Sequence, residues 1–320
     1  MDKAQLGNLA RKSLTSVMEY GRDGFIALLE LTAEVKGVRS LTFNSREGIE
    51  LLLYDDKADV GVKNTAQNAV KHLGGKATLL RPDADLAAVK NVGTQAFFIG
   101  PEEYKTFSEG FRKVDGNWSI PVIGGLGIIQ PWQAVADYLT IKEYLTRSNE
   151  LRPNATGKRW LKIAYVGEDA AGYHPLLEGG VFLGADVVMI TPKGKGLDDR
   201  NLWRIREATD RYGSSFRLTN DLGSIGGADV IYVDKRIPIG SQGVNEGEKQ
   251  PSYRITKEVM EGIAKGAILM GPSAFRQDIL NEVFGEGQKA HANFQLIRDQ
   301  AINRAHALQA VLYAATARPG

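Results

Sequence analysis

The sequence of 320 residues contains no cysteine, which excludes disulfide bonds, thiolate metal ligands and a cysteine nucleophile. Histidine is scarce as well, and its four positions are too scattered to indicate a zinc site: His72, His174, His291 and His306. No apolar run reaches the length of a membrane-spanning helix, and charged residues interrupt residues 1–30. We therefore expect a cytoplasmic protein with neither a signal peptide nor a membrane anchor.

An excess of charge of either sign is also missing. The chain has 40 Lys and Arg against 38 Asp and Glu, a formal net charge of +2. Such a balance gives no whole-protein field that would attract nucleic acid or an anionic membrane, so we expect a small-molecule substrate. Apolar residues make up 43% and charged residues 24% of the chain, as in a soluble globular protein. The length predicts two domains of roughly 150 residues each.

Short apolar runs alternate with helical patterns in the first half of the chain. Residues 1–20 read as a polar lead-in, and the predicted helices include 25–36 and 64–73. The predicted strands are residues 49–54, 77–80, 96–99 and 120–123. This alternation predicts an α/β domain built on a parallel sheet.

The second half repeats the pattern after a polar segment, residues 147–160, that predicts a linker. Its predicted strands are residues 162–166, 185–191, 229–233 and 267–270, and a helix over 295–315 ends the chain. The first turn lacks the G-x-G-x-x-G spacing, which argues against a dinucleotide site. We predict two doubly wound parallel-sheet domains, 1–146 and 161–294, with a C-terminal helical segment, 295–320, packing back on the first.

A glycine-rich turn follows the strand at 120–123, and Gln130-Pro131 then opens a helix. In an open α/β sheet, ligands bind at the carboxyl ends of the strands, where backbone N–H groups and the positive end of a helix dipole point into the crevice. The amides of Gln130 and Gln133 are the polar groups offered there. The alternative is that Gln130 only starts the helix and Gln133 is a buried amide satisfied by the backbone.

Segments in both halves resemble the aspartate/ornithine transcarbamoylases. PVIGGLGIIQPWQAVADYLTIKE (121–143) is similar to the family's PVIN…HPxQALxDxxTIxE, and KIAYVGEDAAGYHPLL (162–177) is similar to KIAYVGDGNNVAHSLL. The further resembling segments, in chain order, are LGG (73–75), ADVIYVDKRIPIG (228–240), GAILMGPSAFRQDI (266–279) and the NR of INRAH (302–306). The resemblance implies the family's two-domain fold and a homotrimer whose neighbouring subunits share active sites.

The resemblance is weakest at the donor site. Where the family has Ser-Thr-Arg-Thr-Arg, whose arginines clamp the phosphate of carbamoyl phosphate, this chain has Asp55, Asp56, Asp59 and Lys63. One unit-charge contact at about 4 Å is worth roughly 4 kcal/mol at an effective dielectric near 20, so the reversed charge implies a non-standard donor pocket. Lys63 falls on or beside the second arginine position. The three acids form a solvated turn or, alternatively, a cation site for a basic head group or Mg²⁺; otherwise we expect no cofactor.

Other pocket positions are also changed. Gln130 stands where the family's His polarises the carbamoyl oxygen, and an amide donates a hydrogen bond but cannot carry a proton. Gly271-Pro272 replaces His-Pro or His-Cys, and Ala171 replaces an Asn. The acceptor side keeps Asp234, followed by Lys235 and Arg236. The resemblance thus implies catalytic roles for Gln130 and Gln133, and substrate binding by four residues: Lys63, Asp234, Lys235 and Arg236.

Three functions are consistent with this pattern. The first is a transferase that moves a carbamoyl or related group onto an amine of an amino-acid-like substrate, using a non-standard donor pocket. The second is conventional transcarbamoylation from carbamoyl phosphate, and the third is a non-catalytic ligand-binding or assembly homologue. The glycine-rich turn, Asp234 and a long loop at 238–252 that could close as a lid favour an enzyme.

Overall fold

The computed structural model describes residues 9–10, 13–14, 16–38, 50–54, 60–80, 96–99, 121–124, 130–147, 161–167, 174–233, 253–272, 283–285 and 292–317. The chain forms two units, one of residues 1–140 with 302–320 and one of residues 141–301. The predicted linker, residues 147–160, falls almost entirely outside these ranges. Among the described helices, none combines the length and apolar character needed to cross a bilayer.

The first unit contains a four-stranded sheet in the order β2-β1-β3-β4, and all its strand pairs are parallel. The strands are β1 (Glu50–Tyr54), β2 (Lys76–Leu80), β3 (Ala96–Ile99) and β4 (Val122–Gly124). The strand predictions are confirmed here with shifts of at most two residues at either end. A continuous apolar run bounded by polar residues is typical of parallel strands that are buried on both faces.

The helices of the first unit pack apolar stripes into its core. They are α1 (Gly21–Gly37), α2 (Val60–His72) and the first part of α3 (Pro131–Arg147). In α1 the buried side chains of Phe25, Leu28, Thr32 and Val35 follow the helical spacing. Helix α2 begins four residues before the predicted start because buried Val62 already belongs to its apolar stripe.

The prediction that residues 1–20 form a polar lead-in is wrong. Its described apolar residues are buried: Leu9, Leu14, Val17 and Tyr20. The Leu14 N–H donates to the Val122 carbonyl and the Leu14 carbonyl accepts from the Gly124 N–H, both at 2.8 Å, so this segment extends the sheet beside β4. The spacing of five residues between Leu9 and Leu14 fits neither the helix nor the strand period, so no sustained periodic pattern marks this segment.

The second unit contains a five-stranded parallel sheet in the order β7-β6-β5-β8-β9. The strands are β5 (Lys162–Val166), β6 (Asp186–Ile190), β7 (Ser215–Thr219), β8 (Val230–Val233) and β9 (Ile268–Met270). Four of them match predicted strands within two residues. Strand β7 was not predicted, because as an edge strand it keeps Arg217 and Leu218 exposed and shows no apolar run.

Four helices complete the described part of this unit together with the end of α3. They are α4 (His174–Phe182), α5 (Asp199–Tyr212), α6 (Lys257–Gly262) and the first part of α7 (Ala292–Thr316). From Ile302 onward, α7 belongs to the first unit. Local chemistry sets the ends of α5. The Asp198 carboxylate caps its start by accepting from the Asn201 N–H at 2.7 Å, and Gly213 ends it in the left-handed conformation.

Candidate functional site

The last residues of three strands in the first sheet lie in register. Tyr54 of β1 pairs with Ile99 of β3, which pairs in turn with Gly124 of β4. The chain segments that leave these strands therefore start at one edge of the sheet. The acidic segment 55–59 connects β1 to α2, and the glycine-rich segment 125–129 connects β4 to α3; both lie outside the described residues. The carboxyl edge of a parallel sheet is where α/β proteins place ligands.

Helix α3 follows the segment 125–129 and Gln130 along the chain. Pro131 occupies the first helical position, which suits a residue that has no N–H to donate. The Gln130 carbonyl accepts from the Gln133 N–H at 2.9 Å, so both predicted glutamines lie at the start of this helix. Gln130 is partly exposed, whereas Gln133 is 7% exposed. The structure places Gln130 directly before α3 and Gln133 in its first turn, and their catalytic roles stay predictions.

Helix α3 carries an unusual stripe of buried polar side chains. Gln133, Asp137 and Thr140 follow the helical spacing and are all buried. A buried polar group is costly unless it is hydrogen-bonded, so this stripe requires partners on neighbouring elements. The Thr140 hydroxyl has one such partner: it accepts from the Asn303 amide of α7 at 2.9 Å, and it donates to the Ala136 carbonyl of its own helix at 2.7 Å.

A buried phenol lies beside this stripe. Tyr138 packs edge-on against Phe25 with ring centroids 5.8 Å apart. Burial raises the pKa of Tyr138 well above its usual value, and the nearby negative charge of Asp137 raises that pKa further. Tyr138 is therefore neutral throughout the physiological range and acts as packing rather than as an acid or base.

Lys63 lies in the first turn of α2, the helix that follows β1. Its side chain is partly exposed. A cation gains nothing from the positive end of a helix dipole, so the dipole does not explain a lysine here. The ligand-binding role of Lys63 stays a prediction.

In the second sheet the strand ends are also aligned. Val166 of β5 pairs with Val233 of β8, and Tyr232 of β8 pairs with Met270 of β9. The buried rings of Tyr165 and Tyr232 stack with centroids 6.5 Å apart. Three segments leave this edge: 168–173 after β5, 234–236 after β8, and Gly271-Pro272 after β9. The predicted acceptor residues Asp234, Lys235 and Arg236, together with Ala171, lie beyond the described ranges.

Comparison with known proteins covers almost the whole chain. Residues 160–315 match the family model described as aspartate/ornithine carbamoyltransferase, Asp/Orn binding domain. The chain is 26% identical to the catabolic ornithine carbamoyltransferase of Thermoplasma acidophilum, covering 95% of this chain and 98% of that protein. It is 28% identical to the ornithine carbamoyltransferase of Deinococcus radiodurans, covering 92% and 97%.

Solved structures show the same similarity to ornithine carbamoyltransferases. The ornithine carbamoyltransferase from Pyrococcus furiosus superposes with a TM-score of 0.73 at 26% identity, over 95% of this chain and 97% of that one. The family model, the relatives and this structure together support the aspartate/ornithine carbamoyltransferase superfamily as the family of this chain. An acetylornithine transcarbamylase complexed with acetylcitrulline, at 20% identity, shares the fold with a TM-score of 0.72 over 96% and 100% of the two chains.

The structural similarity and the two parallel sheets confirm the predicted fold class, two doubly wound parallel-sheet domains. The prediction of a carbamoyltransferase-like enzyme is supported by relatives that carry that name. The predicted cation site of Asp55, Asp56 and Asp59 lies outside the described residues. Within the described ranges, no group of three or more His, Asp or Glu side chains is arranged to hold a metal ion.

The sequence reasoning overlooked a set of buried amides on α7. Asn293, Gln300 and Asn303 are all buried, and each makes a hydrogen bond to another element of its own unit. The available signal was the spacing of seven residues between Asn293 and Gln300, which places both amides on one face of the helix. A polar pair on an otherwise apolar stripe indicates specific partners rather than solvent.

Proposed function

We propose that the protein is a transferase that moves a carbamoyl or related group from an activated donor onto an amine of an amino-acid-like substrate. The observation that carries this proposal is the likeness to ornithine carbamoyltransferases over 95% of the chain, across both sheets. The in-register carboxyl edges of those sheets support it, since the acidic segment 55–59 follows β1 directly and Asp234 follows β8 directly.

In this reaction the amine nitrogen attacks the carbamoyl carbon, a C–N bond forms, the bond from that carbon to the leaving oxygen breaks, and the amine loses a proton. With carbamoyl phosphate as donor the leaving group is phosphate. The amide of Gln130, at the start of α3, would donate a hydrogen bond to the carbamoyl oxygen as negative charge develops there. Gln133 would orient the same group. Because neither amide can take up the proton, water or the leaving group must accept it.

For the acceptor, the relatives named as ornithine carbamoyltransferases support an amino acid with a primary amine, such as ornithine. Asp234 would pair with the α-amino group, and the positive charges of Lys235 and Arg236 would face a carboxylate. All three follow β8 directly, at the carboxyl edge of the second sheet.

For the donor, we propose a non-standard pocket, because residues 55–63 contain three acids and no arginine. Lys63 would be the cation nearest to the leaving group, and Asp55, Asp56 and Asp59 would hold a basic group or a Mg²⁺ ion. The second candidate is conventional transcarbamoylation from carbamoyl phosphate, which the relatives favour, since they match this chain over nearly their whole length.

Paired lysine variants of α2 test the donor assignment. Lys63→Met removes the proposed phosphate contact, and Lys71→Met in the exposed last turn of the same helix is the matched control. We expect Lys63→Met alone to raise the KM for carbamoyl phosphate, by about tenfold or more for one lost charged contact. Equal changes in this KM for the two variants would show that Lys63 does not contact the donor.

Gln130→Ala tests the catalytic assignment. We expect a fall in kcat of about a hundredfold, the loss typical of removing one donor to a developing oxyanion, with little change in the melting temperature. Unchanged kcat would remove Gln130 from catalysis. A wild-type protein that binds ornithine but forms no product with any carbamoyl donor would instead support the non-catalytic homologue.

We further propose that the protein assembles as a homotrimer, as the family resemblance implies. Analytical ultracentrifugation measures this directly. A trimer at micromolar concentration supports the proposal, and a monomer that remains fully active contradicts both the trimer and the sharing of active sites between subunits.

A further inference from the structure

Strand β9 lies at one end of the five-stranded sheet, with β8 on its inner side. The Ile268 N–H donates inward to the Asp229 carbonyl at 2.9 Å. Successive residues of a strand direct their backbone groups to opposite sides, so Leu269 directs its N–H outward, away from β8. An outward backbone group on a buried edge strand needs a partner from another element.

Two side chains of α7 supply those partners. The Leu269 N–H donates to Asn293 Oδ1 at 2.7 Å, and Gln300 Nε2 donates to the Gly271 carbonyl at 2.7 Å. Asn293 is 5% exposed and Gln300 is 1% exposed. One amide therefore accepts and the other donates, as a further strand would do. Together they replace a sixth strand along the last residues of β9.

The two bonds fix the strand end at two points. Asn293 and Gln300 lie two helical turns apart on one face of α7. Leu269 of β9 and Gly271, the residue directly after β9, lie two residues apart on the same outward side. A single bond would hold the strand but let it slide or tilt, whereas two bonds of opposite polarity set its position and direction. Gly271-Pro272, which leaves the sheet at its carboxyl edge, is held directly by the second bond.

The held segment lies beside the end of β8, after which the chain continues to the proposed acceptor residues. Met270 pairs with Tyr232 of β8, only two residues before Asp234. A displacement of the end of β9 therefore disturbs the end of β8, from which the chain continues to Asp234.

We infer that Asn293 and Gln300 are positioning residues, which set the placement of Gly271-Pro272 at the substrate edge of the second sheet. The kinetic consequence rests on the proposed transferase function, whereas the local anchoring does not. Neither side chain needs to touch substrate for this role.

Hydrogen exchange and kinetics together test the inference. Gln300→Met keeps the length of the side chain but removes the donor, and Asn293→Ser shortens the acceptor out of reach of Leu269. Gln295→Met is the matched control, because Gln295 is an exposed amide of the same helix that bonds to Asp299 and not to β9. We measure backbone exchange over residues 268–271 and, with ornithine and carbamoyl phosphate, KM and kcat.

We expect both test variants to exchange at least about fivefold faster over residues 268–271, the effect of losing one net buried hydrogen bond. We also expect a higher KM for ornithine with a smaller change in kcat, and neither effect in Gln295→Met. Unchanged exchange in both test variants overturns the inference. Faster exchange with wild-type KM and kcat also overturns it, because the two amides would then stabilise the strand without affecting the substrate edge. If the wild type has no turnover, the proposed function fails on its own and exchange alone decides the anchoring.

Discussion

Replacing Thr140 with valine tests the packing of the helix that carries the candidate glutamines. Thr140 is fully buried, and its hydroxyl links two partners: it accepts from Asn303 Nδ2 at 2.9 Å and donates to the Ala136 carbonyl at 2.7 Å. The other end of the Asn303 amide accepts from Lys36 Nζ at 2.8 Å. A chain of hydrogen bonds thus runs from α1 through α7 to α3, within the first unit.

Valine keeps the shape of threonine but leaves the Asn303 amide facing a methyl group. The cost of a buried donor without its acceptor is about 1–3 kcal/mol, and the Ala136 carbonyl keeps its backbone bond, so we expect a loss of about 2 kcal/mol in the free energy of unfolding. Urea denaturation followed by circular dichroism measures this loss. Thr140→Ser keeps the hydroxyl and should lose much less.

The matched control is Thr146→Val on the same helix. The exposed Thr146 hydroxyl also donates to the carbonyl four residues earlier, at 2.8 Å from Lys142 O, but no buried amide depends on it. We expect a change below about 0.5 kcal/mol there. Equal losses in Thr140→Val and Thr146→Val would refute the reasoning, because the buried Asn303 amide would then contribute nothing measurable.

Three further predictions concern stability. Gly213→Ala places a side chain at φ 64° with open space around it, so thermal melts should show a loss of about 1 kcal/mol from backbone strain alone. Gly37→Ala is the control, and because Gly37 has an ordinary φ it should show no such strain. Ser16→Ala removes a capping-box hydroxyl that accepts from the Met18 N–H at 3.2 Å and should lower the free energy of unfolding by about 1 kcal/mol in the same assay. Burial first, and neighbouring carboxylates second, raise the pKa of Tyr20 and of Tyr138. As the pH rises, the unfolded chain therefore loses these protons before the folded protein does, so the free energy of unfolding should fall above about pH 10. Ultraviolet titration should show both phenols ionising only when the protein unfolds. Ionisation of both phenols in the folded protein near about pH 10 would contradict this.

The sequence predicts the buried part of this fold well because parallel strands are marked by continuous apolar runs. Residues 96–99 and 162–166 show such runs and form strands with these bounds. Strand β7 carries Arg217 on an exposed edge and shows no run. Leu14 is held to β4 by backbone bonds across more than a hundred residues, which no local pattern reveals.

The candidate site, like the fold, is predicted only in part from the sequence. The start of α3 at Pro131 is predicted correctly, because local chemistry decides where this helix begins, and it places Gln133 in the first turn. The roles of Asn293 and Gln300 depend on which strand α7 meets, and that is a property of the tertiary structure. Burial of a polar side chain is thus the feature that sequence patterns miss and the structure supplies.

The most direct measurement of the central claim is carbamoyl transfer itself. The protein would be incubated with isotopically labelled carbamoyl phosphate and ornithine, with and without Mg²⁺, beside the ornithine carbamoyltransferase of Pyrococcus furiosus. We predict labelled carbamoyl-ornithine and an equal amount of phosphate, with a donor KM at least about a hundredfold above that of the relative, since one lost charged contact suffices for such a difference. A donor KM equal to the relative's would contradict the non-standard pocket and establish conventional transcarbamoylation. No labelled product under any condition would contradict the assignment as a carbamoyl transferase.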